Sequence, residues 1–134
     1  MKRTVNTLLT VLFVSVMGLS QAQDIAMVEK VAIIDFSTEV VDYGTIEQNS
    51  DGMRLFTFTN TGDAPLIITD VKTSCGCTVP NYSKEPVLPG QQGQLEIKYN
   101  TKKLGTFTKT ITVISNAKEA KKVLKIKGTV VAPN

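Results

Sequence analysis

The chain has 134 residues, of which 42% are hydrophobic and 20% charged, with two cysteines and a formal net charge of +3. That length suits one domain and is too short for a TIM barrel or a multidomain enzyme, and two cysteines exclude a disulfide-dense miniprotein. Neither His nor Trp occurs, so the commonest general base and the commonest metal ligand are both missing.

The first element is a targeting segment. Met1-Lys2-Arg3 is a short basic start, and the run from Val5 to Leu19 is mostly apolar. Ser20-Gln21-Ala22 then supplies the small residues that a signal peptidase reads. Residues 1–22 are expected to be a secretory signal peptide cleaved after Ala22. The apolar run is shorter than the roughly 20 residues a spanning helix needs, and no Cys follows it to carry a lipid. A soluble exported protein, periplasmic or extracellular, is expected. Loss of Lys2 and Arg3 lowers the nominal net charge to +1. Such a charge supplies no field to capture nucleic acid.

Residues 23–30 carry few strand signals and read as a lead-in, followed by one domain over 31–134. Strands are expected near 31–36, 40–46, 53–60, 66–73, 93–99, 107–115 and 122–131. Ile33-Ile34 and Val40-Val41 blur the alternation in the first two. In the third, Phe56 and Phe58 alternate with Thr57 and Thr59, the period-two pattern of a strand with one buried face. Asn60-Thr61-Gly62-Asp63 is a turn, and the fourth strand starts after Pro65.

The fourth strand leads to Cys75-Gly76-Cys77, the one motif here that could carry chemistry. Three readings stand. A disulfide across Gly76 needs a bent backbone with the two Cα atoms within about 7 Å. It would remove loop entropy worth only about 1.6 kcal/mol, so exchange chemistry suits it better than stapling. Alternatively, two close thiolates could clamp Cu(I), whereas zinc would want four ligands. Lastly, the thiols could simply pack at one end of the domain. An oxidising compartment disfavours two permanently free thiols.

Leu88-Pro89-Gly90 has the order a type II turn favours. Leu95, Ile97 and Tyr99 then alternate with Glu96 and Lys98, and Ile111 and Val113 with Thr110 and Thr112. Leu124, Ile126 and Val130 alternate with Lys125, Lys127 and Thr129 in the last strand. Gly128 inside that strand marks a bulge or a close backbone approach. Short strands divided by turn signals, with no helical stripe, predict an all-β two-sheet sandwich.

Lys118, Lys121, Lys122, Lys125 and Lys127, relieved only by Glu119, form a local basic excess. They could receive an anionic glycan, lipid or partner. The plainer expectation is a solvated edge strand whose lysines discourage edge-to-edge pairing. Asp63 with Asp70, and Glu39 with Asp42, are the conceivable carboxylate pairs, and surface charge explains them as well. Asn81-Tyr82-Ser83 matches a glycosylation acceptor, which matters only in a host that glycosylates. No phosphate loop, nucleophile elbow or calcium loop is present in the sequence.

The succession Phe56-Thr57-Phe58-Thr59-Asn60-Thr61-Gly62, Pro65-Leu66-Ile67-Ile68 and Ser74-Cys75-Gly76-Cys77-Thr78, with Leu88-Pro89-Gly90 and the strand from Gly105, resembles a known family. It is the secreted bacterial family catalogued as domain of unknown function 1573, and the likeness covers roughly residues 35–131. The family is similar in architecture to Hydin-type and major-sperm-protein-type immunoglobulin-like domains. The resemblance implies a seven-stranded immunoglobulin-like β-sandwich; it implies no known activity, substrate or partner and brings no catalytic residues to carry across. The expectation is therefore an exported, non-catalytic module that binds a protein or an envelope component. The alternative is a thiol–disulfide or Cu(I) protein using Cys75 and Cys77.

Overall fold

The computed structural model describes residues 29–134. The expected signal peptide and most of the lead-in lie outside the described residues. Eight strands follow one another: β1 (Ile34–Phe36), β2 (Val40–Glu47), β3 (Met53–Asn60), β4 (Ile68–Thr73), β5 (Thr78–Tyr82), β6 (Gln92–Tyr99), β7 (Gly105–Ser115) and β8 (Lys121–Val131). The seven expected strands are all present, and β5 is an eighth. The first expected strand shortens to Ile34–Phe36, where the doubled Ile33-Ile34 had hidden its start.

The strands form two four-stranded sheets, ordered β1-β3-β6-β5 and β2-β8-β7-β4. The first is antiparallel throughout, whereas in the second β2 runs parallel to β8. Only the β5–β6 and β7–β8 connections stay within a sheet. All the others carry the chain across the sandwich. The fold is thus an immunoglobulin-like β-sandwich.

Alternation puts the apolar residues between the sheets. Phe56, Phe58, Leu95, Ile97 and Tyr99 of the first sheet meet Tyr43, Phe107, Ile111, Val113, Leu124 and Ile126 of the second in one buried cluster. Phe36 meets Phe58 edge-on at 5.5 Å between ring centroids. Tyr99 stacks across the sheets on Phe107 at 3.8 Å, and within the second sheet Tyr43 meets Phe107 edge-on at 5.4 Å. Such aromatic pairs add to the energy of burial itself.

The turns have the chemistry their residues suggest. Gln91 donates its N–H to the Leu88 carbonyl at 2.9 Å, and Gly90 has φ of +81°, as the third position of a type II turn requires. Asn60 is wholly buried at the end of β3. Its Oδ1 accepts from the N–H groups of Ile33 and Gly62, and its Nδ2 donates to the carbonyls of Ala64 and Val87. Gly62 lies so close to the Val31 carbonyl and the Ile33 amide that no side chain fits there. Asn60-Thr61-Gly62 is therefore a clasp that ties the chain before β1 to the β3–β4 turn.

Gly128 answers to both of its expected roles. Two residues of β2, Tyr43 and Gly44, oppose this one position of β8, so the bulge lies in the neighbouring strand. A Cβ on Gly128 would also stand 2.8 Å from Tyr43 Cβ and 3.0 Å from Phe107 Cζ.

The basic run requires a correction. Strand β8 is not an edge, because it is paired to β2 on one side and β7 on the other. Lys121, Lys125 and Lys127 are exposed on the outer face of a central strand and guard no free edge. Lys122 instead bridges Glu39 at 3.1 Å and Glu119 at 3.2 Å. These bonds hold its ammonium above the ordinary lysine range.

Candidate functional site

Residues 74–77 form the loop that leaves the free edge of one sheet at Thr73 and joins the free edge of the other at Thr78. Cys75 and Cys77 are joined there as a disulfide, with their Cα atoms 5.4 Å apart. Both cysteines are half-buried, and Gly76 between them is exposed. The side chain of Cys77 packs against the rim of the core.

Backbone bonds hold the loop at both ends. Ser74 donates its N–H to the Thr110 carbonyl at 3.0 Å, and Ser74 Oγ accepts from the Thr110 N–H at 3.1 Å. Asn100 donates its N–H to the Cys77 carbonyl at 2.8 Å. Thr73 Oγ1 donates to the carbonyls of Cys75 and Thr78 at 3.0 and 3.3 Å. The Thr78 hydroxyl, next in the chain, is buried without a hydrogen-bond partner.

An open depression lies beside the bridge, lined by Gly76, Cys77, Val79, Asn100, Lys102 and the Lys98-Tyr99 pair of β6. Strand pairing assembles it, since β5 is antiparallel to β6 and Val79 faces Lys98 across the ladder. No carboxylate lines this depression. Burial pushes the Tyr99 phenol above its ordinary range, so the two lysines are the charged groups of the site.

Lys98 and Lys102 are the residues that sequence reasoning missed. Nothing local marks them, because their relation to Cys77 arises from a strand pair that includes the unexpected β5. The conceivable carboxylate pairs do not form a site. Asp63 accepts from the Val31 N–H and Asp70 from the N–H of Val71. Glu39 binds Lys122, and Asp42 accepts from the Gly44 N–H. Asn81 is exposed on β5. Among the described residues, no three His, Cys, Asp or Glu side chains converge on a point where a metal could sit. With the sulfurs bonded to each other, a Cu(I) clamp could belong only to the reduced chain. Also among the described residues, no helix is long and apolar enough to cross a membrane.

The sequence from residue 34 to 130 matches the family described as protein of unknown function (DUF1573). The chain belongs to this family. Both the Asn60-Thr61-Gly62 clasp and the Cys75–Cys77 loop lie inside the matched span. No curated protein matches the chain.

Solved structures share the fold at low identity. A protein of unknown function from Porphyromonas gingivalis W83 superposes with a TM-score of 0.66 at 16% identity, over 75% of this chain and 47% of that one. This DUF1573 chain therefore spans about half the length of that relative. The ASH/PapD-like domain 7 of human CEP192 gives 0.64 at 7% identity, over 78% of this chain and 89% of that one. The Pseudomonas aeruginosa CupB2 chaperone gives 0.53 at 9% identity, over 71% and 54%. At these identities the likeness speaks to the fold alone.

Proposed function

We propose that this DUF1573 domain is an exported, non-catalytic binding module that docks a protein of the same compartment, with no resident metal or cofactor. The observation that carries this reading is the outer face of the β1-β3-β6-β5 sheet. Met53, Leu55 and Val79 are 41%, 46% and 59% exposed there. They are not scattered: Met53 and Val79 flank Lys98 in one cross-strand row, and Leu55 faces Glu96 in another. Apolar side chains around the stems of a few charged ones form a surface suited to a protein partner, with a polar rim for orientation. The fold likeness to PapD-like domains and to a chaperone agrees with a binding role. The absence of His from the sequence and the separation of the carboxylates support a non-catalytic one.

The test compares capture from envelope extract by the chain beginning at Gln23 and by two variants. Leu55→Glu/Val79→Glu should lose the specific partner, while Lys125→Glu/Lys127→Glu on the opposite sheet should keep it. A partner retained equally by both variants would remove this face from the function. A hydrolase or transferase activity abolished by one point substitution would overturn the non-catalytic reading.

A further inference from the structure

The Asn60-Thr61-Gly62 clasp is fully accounted for by the bonds that it makes, but the Cys75–Cys77 bridge is not. The bridge closes on a residue two positions away and connects no two elements. The loop ends are held independently of it, by Ser74 on Thr110 and Asn100 on Cys77. Opening the S–S bond therefore leaves β4 and β5 where they are. The loop is open to solvent at Gly76, where a Cβ would meet nothing within 4 Å, and the two flanking cysteines are half-buried. The adjoining depression carries Lys98 and Lys102 and no carboxylate.

We propose that Cys75–Cys77 is a thiol–disulfide exchange site that accepts two electrons from a dithiol able to close its own disulfide, with Lys98 and Lys102 stabilising the departing thiolate. One sulfur of the dithiol, as thiolate, attacks Cys75 Sγ and forms a mixed disulfide. The electron pair of the old S–S bond passes to Cys77 Sγ, which leaves as a thiolate on the side of the depression that Lys98 and Lys102 line. Cationic neighbours favour a thiolate, and a better-stabilised thiolate leaves faster. The second sulfur of the dithiol, after losing its proton to solvent, then attacks its own partner sulfur. Its internal disulfide forms, and Cys75 departs as a thiolate that solvent protonates. The dithiol is oxidised and the cysteine pair reduced by the same two electrons. Cys75 is the sulfur attacked because Cys77, which packs against the core rim and lines the depression that holds the lysines, is the better-placed leaving thiolate.

The experiment uses dithiothreitol as the dithiol and the chain beginning at Gln23, in native buffer, with timed alkylation and mass spectrometry. The bridge should be reduced without denaturant. In Lys98→Gln/Lys102→Gln the rate should fall about 3- to 10-fold, as expected when the leaving thiol's pKa rises by about one to two units. Lys98→Arg/Lys102→Arg should keep the wild-type rate. Salt at 1 M should slow the wild type and scarcely affect the glutamine variant. With glutathione as a monothiol, the trapped adduct should be on Cys75. Reduction only in denaturant, equal rates in the wild type and the glutamine variant, or an adduct on Cys77 would each overturn the proposal. None of these readouts requires the docking partner, so the two readings fail separately.

Discussion

A buried asparagine is costly unless each of its polar atoms is paired. Asn60 meets that condition with four side-chain bonds, of which the one from Ile33 is 3.3 Å and the others 2.8–3.0 Å. Removing the amide strands the N–H groups of Ile33 and Gly62 and the Ala64 carbonyl, while the Val87 carbonyl keeps its bond from the Leu66 N–H. Asn60→Ala is expected to cost about 2–4 kcal/mol, read from urea midpoints. Thr61→Ala, at the exposed neighbour, should stay within about 0.5 kcal/mol. Similar costs at the two positions would refute the clasp.

Tyr43 contributes to the alkaline pH dependence at the same scale, beside Tyr99 and Lys122, whose protons are also held above their ordinary ranges. Its ring is 7% exposed, and its hydroxyl donates to the Gly52 carbonyl at 2.7 Å. Burial pushes the phenol up to about 12, with Arg54 pulling it down and Asp51 and Tyr99 pushing it up. In the unfolded chain it ionises near 10. Between those values the unfolded chain has lost a proton that the folded chain retains, so stability falls as pH rises. The contribution is complete below about pH 10 and lost towards pH 12. Urea midpoints between pH 8 and 12 should decline less steeply for Tyr43→Phe than for the wild type. Parallel declines would exclude Tyr43 as the cause.

At the scale of elements, the inner faces of the strands were readable because burial imposes alternation on each of them. Phe56–Phe58, Leu95–Ile97–Tyr99 and Leu124–Ile126 all point inward as patterned. Strand β5 was not readable. Its five residues include Pro80, which lacks an N–H, and only Thr78 among them is fully buried. An edge position tolerates both features, since one side of the strand needs no partner. The place of β8 was hidden for a related reason. Outward lysines look alike on a central and an edge strand, and only the sheet order separates them. In the candidate site the sequence singles out Cys75-Gly76-Cys77 with three readings open and does not single out Lys98 or Lys102, because strand pairing alone unites them with Cys77.

The central place of β8 makes a prediction of its own. Its backbone is already paired on both sides, so replacing Lys125 and Lys127 exposes no free ladder. Lys125→Thr/Lys127→Thr should remain as monodisperse as the wild type in light scattering. Threonine's fit to a pleated surface should leave stability unchanged or raise it by a few tenths of a kcal/mol. Aggregation of this variant would restore the edge-guarding role to the lysines.

At the scale of the molecule, the question is what holds the two sheets together. The chain crosses between them at every connection except β5–β6 and β7–β8, and their inner faces form one buried cluster. The single covalent cross-link lies outside this scheme. It closes a three-residue loop, which limits its entropic contribution to about 1.6 kcal/mol. Cys75→Ala/Cys77→Ala should therefore keep the wild-type far-ultraviolet spectrum and the wild-type dependence of stability on urea. Its stability should fall by about 2 kcal/mol or less, equivalent to roughly 10 °C or less in Tm for a domain of this size. A substantially larger loss would make the bridge a structural staple. A small one leaves the fold intact in either state of the cysteine pair, as a site that cycles between disulfide and dithiol requires.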